Sequence, residues 1–223
     1  MQAARRRPAG ATHLVALSKD ELRKACASYP VFLVKHPETA RFYPAALLGL
    51  RAQENLYWTG SALDAAHVPS RFLRQPFYTV DVASGGGQLC LDRDSAAIDA
   101  GGDAAIVEGD GTDSDYIRGI VALLSDMAVQ APRTDALVDL ALRPDLVTPA
   151  RLDIMLDSGE RVDVDGLYAI DDAALARQRS AIPDFDDLLA LMAMMLSLEK
   201  VADLVRRRNA LDRAAAQWTR MEA

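Results

Sequence analysis

Three features of the sequence predict an α+β fold with a mainly antiparallel sheet, a small C-terminal β-meander and a long, buried C-terminal helix. Two apolar runs near the start, each led by Tyr-Pro (YPVFLVK from Tyr29 and YPAALLGL from Tyr43), flank a polar turn and read as adjoining strands. Late in the chain, Asp157-Ser158-Gly159 and Asp165-Gly166 separate short apolar runs, as hairpin turns do. Beyond them LLALMAMMLSL, Leu188 to Leu198, is apolar on nearly every face of a helix, a pattern that predicts burial all round.

Residues 1–12 read as a flexible tail and residues 13–223 as a single domain. Ser18 stands before Glu21 in capping-box spacing, which predicts a short helix over Lys19 to Ala27. Phe32 to Val34 and Ala46 to Leu50 are the first strand candidates. Pro30 and Pro44 are expected at strand beginnings, where a missing N–H harms a ladder least. Leu56 to Trp58 is expected to extend the same sheet. Val68 to Val82 combines a helical turn with a strand; Gly85, Gly86 and Gly87 then read as a hairpin connection to a strand at Gln88 to Leu91. A phosphate-cradling loop needs its glycines before a helix, with a Lys-Ser/Thr pair in the triphosphate version, and neither is present here.

The Gly/Ala/Asp-rich residues 96–113 read as a surface loop. Ile117, Ile120, Val121, Leu124 and Met127 then mark a helix over Ser114 to Val129, with a second over Thr134 to Leu142 stopped at Pro144. Leu152 to Leu156, Val162 to Val164 and Leu167 to Ile170 supply the meander. Asp171 and Asp172 cap a following helix, and a final helix runs from about Asp184 to beyond Leu211. Its later turns narrow to a stripe through Val201, Leu204 or Val205, and Leu211, a candidate surface for pairing with a second copy.

Composition bounds function. The 223 residues are half apolar and 26% charged, enough for a substantial core. A formal net charge of −7 argues against a nucleic-acid binder, which needs a basic face. Arg5 to Arg7 read as solvated tail, and Arg206 to Arg208 as decoration on the exposed side of the last helix. Cys26 and Cys90 have no ligand-like spacing and fit a reducing compartment, with a disulfide between them left open. The N-terminal arginines precede no apolar signal core, and the longest apolar run falls short of the roughly 20 residues of a spanning helix. No integral membrane segment and a cytoplasmic location are the expectations.

The histidines, His13, His36 and His67, form no metal-type repeat, and no serine sits in a nucleophile-elbow motif, so no metal, cofactor or catalytic residue is assigned. Asp110, Asp113 and Asp115 lack the glycine and distal glutamate of a calcium loop. Asp92 and Asp94 leave a strand in LCLDRDS, where α/β enzymes often present carboxylates, and they define the alternative of a small hydrolase- or transferase-like enzyme. The preferred site is an aromatic-lined groove. Tyr57, Trp58 and Phe77 would supply its walls, Arg71 and Arg74 would attract an acidic group, and Asp92 and Asp94 are counted among its residues. Such a groove suits a peptide, a protein or a small ligand.

The ordered succession YPVFLVK, ALLGLR, ENLYW, VPSRFLRQPF, LCLDRDS and LDIMLDSGERVDVDGLYAIDDAAL, ahead of a helix containing MLSLEKV, resembles the bacterial SapC-like family. The resemblance runs from about His13 to Arg206. It implies an accessory protein linked to surface-layer or outer-membrane receptor systems, with a protein or peptide partner. A homodimeric scaffold built through the last helix is a further alternative.

Overall fold

The computed structural model describes residues 2–3, 12–81, 87–95, 98–99, 104–143 and 145–221. Its strands are β1 (Gln2–Ala3), β2 (Leu14–Ala16), β3 (Val31–Lys35), β4 (Phe42–Leu47), β5 (Phe77–Asp81), β6 (Gly87–Leu91), β7 (Ile98–Asp99), β8 (Ala104–Ala105), β9 (Val147–Met155) and β10 (Arg161–Ile170). Its helices are α1 (Leu22–Cys26), α2 (Ser70–Leu73), α3 (Asp115–Leu142), α4 (Asp172–Gln178), α5 (Phe185–Ser197) and α6 (Val201–Met221). The class is α+β, as the sequence predicts. Most of the expected tail, residues 4–11, and Gly85 and Gly86 of the expected hairpin connection lie outside the described residues.

The principal sheet has five antiparallel strands in the order β2-β4-β3-β10-β9. The Tyr-Pro-led runs form its centre, as neighbours β3 and β4, but not with both prolines at strand starts. β4 begins at Phe42, and Pro44 lies inside it opposite Leu33. Leu17 N–H donates to Pro44 O at 2.9 Å, so Pro44 turns its nitrogen toward the same side, where β2 has already ended. A proline is tolerated there because no donor is needed. Leu56 to Trp58 does not extend the sheet. The chain leaves β4 after Leu47 and closes a loop in which Leu56 N–H donates to Leu48 O at 2.8 Å, leaving Trp58 in a single bridge to Leu63.

β9 and β10 form one long hairpin closed at Ser158-Gly159, rather than three short strands. The register shifts between Val164 and Leu167, so Asp165-Gly166 is a bulge and not a turn. Gly166 takes φ +71 there, a conformation that favours glycine. This is why the pair resembles a hairpin signal in sequence.

α3 departs most from expectation. It runs unbroken for 28 residues through Pro132, where the sequence predicts a gap between two helices. Each half is anchored in a different cluster. Ile117, Ile120 and Leu124 pack with Phe77 and Ile106, whereas Leu137, Val138 and Ala141 belong to the main core. Next to the proline, Thr134 Oγ1 donates to Gln130 O at 2.9 Å and accepts Lys19 N–H at 2.9 Å. Burial at both ends overrides the loss of one helical hydrogen bond.

The last helical region is also divided. The region starts near Asp184, as expected, with Asp184 capping α5 through Asp187 N–H, but a 3-10 turn at Leu198–Lys200 separates α5 from α6. α5 is not buried all round. Ala190, Leu191, Met194 and Ser197 face the core, while Phe185 and Leu196 are 72% and 62% exposed. Arg207 and Arg208 are not surface decoration either. Arg207 lies 4.4 Å over the Tyr57 ring and pairs with Asp64, and Arg208 is held by Glu54 and Asp212.

Ser197 joins α5 to the sheet. Its hydroxyl accepts Val31 N–H at 2.9 Å and donates to Met194 O at 2.6 Å, all of it buried. β10 pairs with β3 only at Leu33 and Val34, so no strand partner can take up Val31 N–H. Ser197→Ala is therefore expected to cost about 1–3 kcal/mol in urea unfolding, the price of a buried donor left without an acceptor. A shift below a few tenths of a kcal/mol would show that Val31 finds another partner. Close by, burial pushes the Cys26 thiol up to about 12, against the opposing bond from Ser197. Cys26 and Cys90 are both free.

Candidate functional site

Beside β2, which pairs only with β4 among the described residues, lies a cavity of about 590 Å3, within the range of ligand pockets. β2 and the segment leading to Ser18 form one wall, the turn end of the β3–β4 hairpin a second, and α2 and α3 the remainder. Its positive groups are Arg41, Arg71 and Arg74. Arg41 is neutralised by Asp135 of α3 at 3.1 Å. Arg71 and Arg74 form no ion pair among the described residues.

Arg74 is half-buried, and its Nη1 donates to Phe77 O at 2.7 Å. Burial holds its guanidinium below the ordinary arginine value, and the like charge of Arg71 adds to this. The neighbouring Gln75 places its side-chain Oε1 in the interior with no hydrogen-bond partner among the described residues. This is a cationic, incompletely satisfied surface on a protein of net charge −7.

Glu21 also borders the cavity, but its oxygens are occupied. Oε2 accepts Ser18 N–H at 3.1 Å and Ser18 Oγ–H at 2.6 Å, and Oε1 accepts Ser70 N–H at 2.6 Å. His67 Nε2 lies 3.3 Å from Oε1 without making a hydrogen bond. Burial is the largest influence on the Glu21 carboxyl and would raise it. The bonds from Ser18 and Ser70 together outweigh burial and hold it below its ordinary value. The capping box thus does more than start a helix: through Ser70 it fixes the start of α2, and with it the position of Arg71 and Arg74.

Of the residues expected to make a groove, the structure brings together Arg71 and Arg74. Tyr57 is 2% exposed, edge-on to Tyr29 at 4.7 Å, and its hydroxyl donates to Ser28 O. Burial pushes it up to about 12, against the attraction of Arg207. Trp58 is half-buried against the main core and outside the cavity lining. Phe77 is 1% exposed and packs in the second cluster with Tyr116. Asp92 and Asp94 are exposed, and Asp92 Oδ1 accepts Asp94 N–H at 3.1 Å in a local turn. Sequence reasoning missed Gln75, Arg41 and the edge of β2. The strand itself, though not its place at the edge, had a signal: Leu14 to Leu17 is a short apolar run ending just before the capping Ser18.

Among the described residues, no group of three or more His, Cys, Asp or Glu is placed to hold a metal ion. No helix among them is long and apolar enough to cross a membrane. Fold and cavity together define an α+β protein whose five-stranded sheet ends at β2, with no further strand on that side among the described residues, beside a paired-arginine cavity. A family model described as SapC matches residues 2–204, and the chain belongs to the SapC family. No curated protein and no solved structure matches it.

Proposed function

We propose that this SapC-family protein is a non-enzymatic accessory protein that binds a peptide, protein or small ligand in the Arg71–Arg74 cavity. Its setting is the cytoplasm, beside surface-layer or outer-membrane receptor systems, in keeping with the family resemblance. One observation carries the binding reading: two adjacent guanidiniums line a ligand-sized cavity and form no ion pair among the described residues. Asp92 and Asp94 favour it too, because they are exposed rather than gathered with a base in a pocket.

Capture from an extract of the native host tests this reading. Bait carrying Arg71→Glu and Arg74→Glu is expected to lose the partners of the wild type by tenfold or more, whereas Trp58→Ala bait, altered outside the cavity lining, keeps them. Equal recovery by the arginine variant would remove the cavity as the site.

A second reading, homodimerisation through the C-terminal helices, is favoured by exposed apolar residues on both. Phe185, Met192 and Leu196 lie along one side of α5, and Leu211, Trp218 and Met221 along α6. Sedimentation at micromolar concentration separates the two, since a monomer excludes the dimer.

A further inference from the structure

Building on the cavity as the binding site, we propose that its occupant is an extended acidic peptide segment that adds a strand to the open edge of β2 and sets a carboxylate on Arg71 and Arg74. The register of β2 supplies the first argument. Leu14, Val15 and Ala16 stand opposite Leu47, Ala46 and Ala45 of β4. Leu48 N–H donates to His13 O and Leu17 N–H to Pro44 O, so His13, Val15 and Leu17 direct their peptide groups at β4. Leu14 and Ala16 therefore direct theirs outward. No described residue takes them up, and both residues line the cavity.

The two edges of the sheet are treated differently. The far edge, β9, carries Pro149, and its Arg151 and Asp153 are tied across to Asp163 and Arg161 of β10. Proline and charge are what keep an exposed edge from pairing with another chain. β2 has neither; its sequence is Leu-Val-Ala. Instead it faces a cavity rather than bulk solvent. An edge left capable of pairing, beside space for a chain, is the arrangement that strand addition uses.

Charge selects among peptides. Asp135 is already engaged by Arg41, and the oxygens of Glu21 are filled by Ser18 and Ser70. Arg71 and Arg74 are left to accept a carboxylate from outside, in the planar two-bond geometry that guanidinium favours. Gln75, whose Oε1 has no hydrogen-bond partner among the described residues, also lines the cavity, and Met127 and Ala131 of α3 offer an apolar wall. A peptide alternating apolar and acidic side chains matches these surfaces.

The test begins with a displayed library of random short peptides selected on the whole protein. Enriched sequences are expected to carry Asp or Glu among apolar residues. One such peptide, labelled with a fluorophore, is then methylated at each backbone nitrogen in turn. Strand addition predicts that alternate positions lose tenfold or more in affinity while those between are unchanged, because only every second peptide group faces β2. Binding should also slow hydrogen exchange at Leu14 and Ala16. Arg74 bonds to Phe77 and could affect folding, so Arg71→Ala, at an exposed residue with no hydrogen bond or ion pair among the described residues, is the decisive variant; it should weaken binding about tenfold. Uniform tolerance of methylation, enrichment of basic peptides, or no binder at all would overturn the proposal. If any of these occurs while host partners still depend on the arginines, strand addition fails and the cavity reading survives. Capture of a lipid or nucleic acid by the arginines has the same meaning.

Discussion

Glu21→Gln is expected to destabilise the protein by about 2–3 kcal/mol, a large part of the 5–15 kcal/mol by which a domain is stable. The carboxylate accepts donors at both oxygens, two from Ser18 and one from Ser70, in a site 5% exposed. A glutamine can accept at one end only; its amide NH2 must then face an N–H or O–H donor at the other. The loss should reach the cavity as well, because Ser70 opens the helix that carries Arg71 and Arg74. Acid should act similarly. The folded carboxyl lies below its ordinary value, so its contribution is complete above the unfolded value of about 4.3 and is lost as pH falls through the folded one. Urea unfolding across that acid range should show the wild type converging on the variant. Parallel curves would mean that other carboxylates control acid stability.

Gly49→Ala is expected to cost about 3 kcal/mol or more, the upper end for overpacking. A Cβ at this position would lie 2.3 Å from Glu54 O and 2.8 Å from Glu54 C. Both are backbone atoms, and the loop that holds them cannot easily withdraw. Glu54 Oε2 accepts Leu50 N–H at 2.8 Å, Glu54 Oε1 pairs with Arg208 at 2.8 Å, and Leu56 N–H bonds Leu48 O. For a chain of this size the midpoint of thermal unfolding should fall by about 10 °C. Gly119→Ala is the control, since a Cβ there meets nothing within 4 Å. Equal midpoints for the two variants would show that the Glu54 loop gives way at little cost.

Each half of the site was legible to a different degree. Arg71 and Arg74 stand out in VPSRFLRQPF because charge is sparse there, and both reach the cavity. The aromatics nearby were expected to share it, yet Tyr57 and Phe77 are core residues of two different clusters. A sequence shows that an aromatic will be buried or will line a surface, but not which, since both uses draw on the same apolar area. Arg207 and Arg208 misled in the opposite way. Their run looks solvated until Glu54, Asp64 and the Tyr57 ring meet it from more than 140 residues away.

What the sequence determined by itself was local. Hydrogen-bonding side chains next to backbone donors settled the caps at Ser18 and Asp171, a short apolar run settled β3, and the order of its motifs settled the family. What only the tertiary structure decided was every outcome in which distant groups compete with a local preference. Anchoring in two clusters carried α3 through Pro132, a bulge replaced a turn at Asp165-Gly166, and α5 turned one apolar side to solvent. The open edge of β2 belongs with these. A strand's free peptide groups are defined by which neighbours the fold gives it, and no residue of Leu-Val-Ala records that choice.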